Sequence, residues 1–124
     1  MAEKKTILIV EDDFYLVRAY SLKFEKEGVN VVSAGDGEAA IEFLEKNKQP
    51  DMIILDLMLP KKNGFEVLQE IKSNDKWKNI PLVILSNLGQ EEDIKKGKEM
   101  GALDYIIKAD TSIEEAIGRI KKHL

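Results

Sequence analysis

Five short runs of mostly aliphatic, often β-branched residues punctuate the chain, at positions 6–10, 29–33, 51–55, 81–85 and 103–107. Runs of this kind predict strands buried on both faces of a sheet. Between them the period changes to that of a helix: Leu16, Ala19, Tyr20 and Phe24; Ala40, Ile41, Phe43 and Leu44; Phe65, Leu68 and Ile71; and, after the last strand, Ile113, Ala116, Ile117 and Ile120. One further helical segment, residues 90–100, offers little besides Ile94 to bury, so it is predicted to be the least firmly held. The order is βαβαβαβαβα.

Gly28 and Gly101 fall just past helical patterns, where a left-handed C-cap is wanted. Pro50 and Pro81 open strands, and Thr111 or Ser112 ahead of Glu114 and Glu115 marks a helix start. Gly35-Asp36-Gly37 is the loop with the clearest turn composition. Connections of this length imply parallel strands joined by right-handed crossovers. The expectation is an α/β fold, a doubly wound five-stranded parallel sheet in a three-layer arrangement, with residues 1–124 as one domain.

The 124 residues, 44% hydrophobic and 34% charged, are enough for one core. Their aliphatic content excludes a disordered chain, and no run approaches the roughly 18 apolar residues of a membrane span. Cysteine is absent, which excludes disulfides, thiolate metal sites and thiol catalysis. Residues 1–5 lead into the first strand without a signal-peptide core, so the expected location is the cytoplasm. With 19 basic against 23 acidic side chains and a net charge of -4, the chain lacks the basic excess of a nucleic-acid binder.

In an open parallel sheet the carboxyl ends of the strands share one edge, and ligands bind there. Glu11, Asp12 and Asp13 follow the first strand, Asp56 the third, Ser86 the fourth and Lys108 the fifth. Carboxylates gathered beside a low-dielectric core repel one another unless a cation sits among them. An all-oxygen set without cysteine or histidine selects a hard ion such as Mg²⁺, which binds through one or two carboxylates and a phosphate. Lys108 and the Ser86 hydroxyl suit phosphoryl oxygens, and Asp56 is a carboxylate able to act as a nucleophile and form an acyl phosphate. Together they read as phosphoryl transfer to Asp56.

Each member alone has a plainer reading. An aspartate between strand and helix commonly caps the helix, the role expected of Asp13, while a loop serine caps and a lone lysine is solvated. His123 reads as an exposed terminal residue, Trp77 as a partly covered loop anchor and Tyr105 as an edge-strand aromatic packed on a helix.

The joint placement resembles a known family. Val10-Glu11-Asp12-Asp13, Asp56-Leu57-Met58-Leu59-Pro60 with Gly64 beyond, Leu85-Ser86, and the segment from Gly101 to Lys108 together resemble the receiver domain of two-component response regulators, in its single-domain, chemotaxis-regulator-like form. The resemblance covers essentially the whole chain. It implies a flavodoxin-like sheet of strand order 2-1-3-4-5. It also implies that Asp56 is the phospho-acceptor and that Glu11 and Asp12 hold Mg²⁺, Asp12 directly and Glu11 through water, with Asp56 and the Met58 backbone carbonyl completing the protein ligands. Ser86 would turn toward the phosphoryl group, Tyr105 would follow as the switch aromatic, and Lys108 would pair with the phosphoryl oxygens.

The implied donor is a histidine kinase or histidine phosphotransfer protein. The implied output is an unidentified protein that docks on the face of the fourth helix, fifth strand and fifth helix, with no direct nucleic acid and no membrane. Since the chain ends with its last helix, the expectation is a stand-alone switch rather than a turnover enzyme. Three departures stand out: Ala109 where the family usually has proline, Leu59 where methionine is common, and Asn87 where a very small residue is common. Asn87 is therefore expected to narrow access to Asp56.

Rival readings come from other classes. A degenerate receiver acting only as a binding module is suggested by Ala109 and opposed by the intact acids, Ser86 and Lys108. A Mg²⁺-dependent aspartyl phosphohydrolase of the haloacid dehalogenase type would need a second acid where Met58 stands. A nucleotide or flavin binder would need a glycine-rich phosphate loop, and none follows a strand.

Overall fold

A computed structural model describes residues 4–124; the first three residues of the lead-in to the first strand lie outside the described residues. Thr6–Val10 (β1), Asn30–Ala34 (β2), Met52–Leu55 (β3), Leu82–Ser86 (β4) and Asp104–Ile107 (β5) form one parallel sheet in the order β2-β1-β3-β4-β5. The helices are Phe14–Lys26 (α1), Gly37–Lys46 (α2), Gly64–Ser73 (α3), Glu91–Glu99 (α4) and Ile113–Lys121 (α5). Fold class and strand order are those expected from the sequence.

Strand alternation divides the core in two. Leu8, Val10, Ile53, Leu55, Leu82, Ile84 and Tyr105 face one side, where α2 supplies Ala40 and Leu44 and α3 supplies Val67, Leu68 and Ile71. Ile7, Ile9, Met52, Ile54, Val83, Leu85 and Ile106 face the other, against Tyr20 and Phe24 of α1 and Ala116, Ile117 and Ile120 of α5. Burial on both faces holds for β1, β3 and β4 but fails at β2, where Asn30 and Ser33 are exposed and Val31 and Val32 half-buried. The reason is position: β2 is an edge strand paired with β1 alone.

Local chemistry ends the helices where the sequence suggested. Asp13 caps α1 by accepting the Tyr15 and Leu16 N–H groups, Asp36 caps α2 and Ser112 caps α5. Asn63 and Glu66 form a capping box at the start of α3. α4 opens at Gln90 without a side-chain cap and buries only Gly97, in keeping with its weak apolar pattern. Gly28 and Gly101 adopt positive φ, 80° and 114°.

Two minor expectations are corrected. Trp77 is buried rather than partly covered, because the turn after α3 folds its indole into the α2/α3 core beside Ile80. His123 is half-buried rather than exposed, its Nε2 lying 3.7 Å from Asp104 Oδ2 where the end of the chain meets β5. Among the described residues no helix is long and apolar enough to cross a membrane.

Candidate functional site

Parallel register brings the site together. Val10 is paired with Leu55, Leu55 with Ile84, and Ser86 with Ile107. Glu11, Asp56 and Lys108 each follow one of these paired strand ends, so they leave the sheet at the same carboxyl edge that Ser86 occupies. The Asp56 N–H still donates to the Val10 carbonyl and the Glu11 N–H to the Ala34 carbonyl, both at 3.0 Å, which fixes both residues to the sheet frame.

Glu11, Asp56 and Ser86 are the buried polar residues among those described, at 5%, 4% and 0% exposure. Lys108 Nζ donates to Asp56 Oδ2 at 2.9 Å and to Glu11 Oε1. Asp56 Oδ1 accepts the Met58 N–H at 3.0 Å. Glu11 Oε2 accepts the Asp12 N–H at 3.0 Å and the Asp13 N–H at 3.4 Å. Every oxygen of the two buried carboxylates therefore has a donor, as burial requires.

The electrostatics separate the two acids. Burial pushes the Glu11 carboxyl up to about 7, and the neighbouring Asp56 adds to the rise while Lys108 opposes it. Burial also acts to raise Asp56, but hydrogen bonding with Glu11, Lys108 and the Met58 N–H outweighs it and holds Asp56 below the usual carboxylate range. Lys108, despite burial, is held above its ordinary value by the same two carboxylates. Asp56 is thus an ionised, oriented carboxylate.

Carboxylate oxygens of Glu11, Asp12 and Asp56 lie within 4.8 Å of one another. The donor set is all oxygen, three acids face one ammonium, and Asp12 is exposed, so water has access. That combination fits a hard divalent cation that keeps part of its water shell. Close packing supports the loop that carries Asp56. A Cβ on Gly64 would lie 2.3 Å from Leu57 Cα and 2.5 Å from the Asp56 carbonyl oxygen, so only glycine lets α3 start this near the strand end.

Tyr105, on β5, is 5% exposed, with its hydroxyl donating to the Leu88 carbonyl. Leu88 in turn donates its N–H to Ser86 Oγ at 3.4 Å. Met58 turns its side chain outward, 56% exposed, and meets the site through its backbone. Asn87, expected to crowd the approach to Asp56, instead turns its amide oxygen to the Ala109 N–H at 3.0 Å. The peptide bonds of the described residues are all trans, that between Lys108 and Ala109 included. The sequence reading missed the part played by Leu88, whose backbone contacts have no signature in residue type. It also missed the Asn63 and Glu66 box, whose spacing of three was a usable signal.

Comparison with known proteins agrees with this geometry. The family model of the response regulator receiver domain matches residues 7–120. The DNA-binding dual master transcriptional regulator RpaA of Synechocystis sp. is 38% identical over 115 residues, which cover 93% of this chain and 47% of that protein. The chain spans about half the length of the curated relatives it matches. Among solved structures, the Francisella response regulator 1452 receiver domain superposes with a TM-score of 0.86 at 30% identity, covering 97% of this chain and 96% of that one. The BeF3-activated N-terminal receiver domain of Klebsiella pneumoniae RstA gives 0.85 at 31% identity, covering 96% and 97%. Sequence match, strand order and the acids at the sheet edge converge, and the chain belongs to the response regulator receiver domain family of two-component systems.

Proposed function

We propose that this chain is a phospho-accepting switch that takes a phosphoryl group onto Asp56 from a histidine kinase or histidine phosphotransfer protein. The observation that carries the reading is the buried Asp56 carboxylate with Lys108 Nζ at 2.9 Å and the Glu11 and Asp12 carboxylates within 4.8 Å. An Asp56 oxygen attacks phosphorus, the P–O bond forms as the P–N bond to the donor imidazole breaks, and the imidazole leaves with the bonding pair. Lys108 then exchanges its contact with Asp56 Oδ2 for the phosphoryl oxygens, while the Met58 N–H goes on orienting Oδ1. Asp12, Asp56 and the Met58 carbonyl, with Glu11 through water, would hold Mg²⁺, which would supply positive charge against the charge on the transferring group.

Among the described residues the Ser86 hydroxyl has only the 3.4 Å contact from the Leu88 N–H, so it can turn toward a new acceptor. Tyr105 is bonded to the carbonyl of the same Leu88 and would respond to that turn. The output is read by a partner protein on the surface of α4, β5 and α5. The setting is the cytoplasm, as the cysteine-free composition suggests. The aspartyl phosphohydrolase reading loses ground because Met58, at the place of the second acid, carries a thioether with no proton to give.

Intact-mass measurement after incubation with acetyl phosphate and Mg²⁺ tests the reading. The parent should gain one phosphoryl mass, and Asp56→Asn should gain none. Equal labelling of both would reject Asp56 as the acceptor.

A further inference from the structure

We propose that Asn87 is a positioning residue that fastens the turn bearing Lys108 to the end of β4 that bears Ser86, through its Oδ1 and the Ala109 N–H. The proposal rests on the acceptor reading above. The turn at Lys108–Asp110 is a single 3₁₀ turn whose start has no side-chain cap. Its internal support is one long bond, from the Thr111 N–H to the Lys108 carbonyl at 3.4 Å. A bond of that length adds little. Asn87 Oδ1 takes the Ala109 N–H at 3.0 Å, and no other side chain among the described residues bonds the backbone of this turn.

The two partners are significant by their neighbours. Asn87 directly follows Ser86 and Ala109 directly follows Lys108, so one bond ties together the two segments whose side chains are to meet the phosphoryl oxygens. Ala109 has an N–H to offer because it is not proline, and Asn87 has an acceptor to offer because it is not a small apolar residue. The bond needs both side-chain identities at once. Lys108 must hold its ammonium against Asp56 across a flexible four-carbon stem, and fixing the backbone at its root reduces the freedom lost when it engages the transferring group.

The test is a two-by-two comparison of parent, Asn87→Ala, Ala109→Pro and the double variant. Labelling rates with acetyl phosphate and Mg²⁺ are read by intact mass, and exchange of the Ala109 amide by NMR. Asn87→Ala should slow labelling about fivefold, the scale of one lost hydrogen bond. In the Ala109→Pro background, where the donor is gone, adding Asn87→Ala should change the rate by less than about 1.5-fold, since the pair acts as a unit. Ala109 exchange should quicken in Asn87→Ala and stay slow in Asn87→Asp, which keeps an accepting oxygen.

Equal slowing in both backgrounds, no slowing in a parent that labels normally, or unchanged Ala109 exchange in Asn87→Ala would each overturn the proposal while leaving Asp56 as acceptor. Should Ala109→Pro fail to fold, the Asn87→Ala and Asn87→Asp exchange data decide alone. A parent that does not label at all overturns the acceptor reading and this role with it.

Discussion

Asp12 is exposed where Glu11 and Asp56 are buried, and the two bonds of Lys108 go to those other acids rather than to it. Among the described residues Asp12 makes no ion pair, so its charge adds repulsion to the cluster. Two opposite effects follow from removing it. Without metal, Asp12→Ala should melt slightly higher than the parent. With Mg²⁺ at tenfold over its dissociation constant, the parent should gain about 1.4 kcal/mol by mass action, near 5 °C in Tm for a domain of this size. The gain should fall to less than half of that in Asp12→Ala at the same concentration. Thermal melts of both proteins with and without Mg²⁺ check this, and an equal rise in the two would remove Asp12 from the ligand set.

α4 is the element least committed to the core, and its one buried residue, Gly97, explains how it docks at all. A Cβ there would lie 2.6 Å from Ile84 Cδ1 and 3.2 Å from the Tyr105 ring, so glycine allows the helix to settle directly on β4 and β5. Gly97→Ala should add up to ~1 kcal/mol of helix propensity yet lose about 2 kcal/mol to overpacking against two buried side chains. The expected net result is a Tm lower by about 4 °C, with chemical-shift changes concentrated at Tyr105 and Ile84. A variant as stable as the parent, with Tyr105 undisturbed, would mean that α4 shifts freely. The elements themselves were legible because aliphatic runs and helical spacing alternate cleanly. The starts of β2, β3, β4 and β5 each fall one residue later than the apolar runs suggested. For β3 and β4 the cause is plain: Asp51 uses its side chain to accept the Thr6 N–H, and Pro81 has no N–H to give a ladder. Glu11, Asp12, Asp56, Ser86 and Lys108 were readable because strand ends share an edge. The bonds from Asn87 to Ala109 and from Tyr105 to Leu88 were not, since each joins segments whose facing is decided only when the sheet has formed.

Across the whole molecule the two faces of the sheet are secured differently. The side of α1 and α5 carries ion pairs that link the two, Lys23 of α1 to Glu114 of α5 at 2.9 Å and Lys121 of α5 to Glu27, just past the end of α1, at 2.7 Å, and a further pair fastens α5 to the edge strand β5. In that last pair Arg119 meets both Asp104 oxygens, with Nη2 to Oδ1 at 2.5 Å and Nε to Oδ2 at 3.2 Å, and also reaches the Tyr105 carbonyl at 3.3 Å. Burial acts to raise the Asp104 carboxyl, but Arg119 and the Tyr105 N–H outweigh it and hold it below its ordinary 3.8. A carboxyl lowered by folding contributes stability that is present above its unfolded value and is lost as pH falls through the folded one. The window therefore lies below about pH 4. Because the Arg119 side chain is 41% exposed, the pair is screened, and Arg119→Ala should cost only about 1 kcal/mol at pH 7, a Tm fall near 4 °C. The gap between parent and variant should narrow from pH 4 downward and close once Asp104 is protonated in the folded protein. Thermal melts across that range decide it: a gap that persists unchanged at the lowest pH would show that Arg119 stabilises α5 through the packing of its stem rather than through the charge of Asp104.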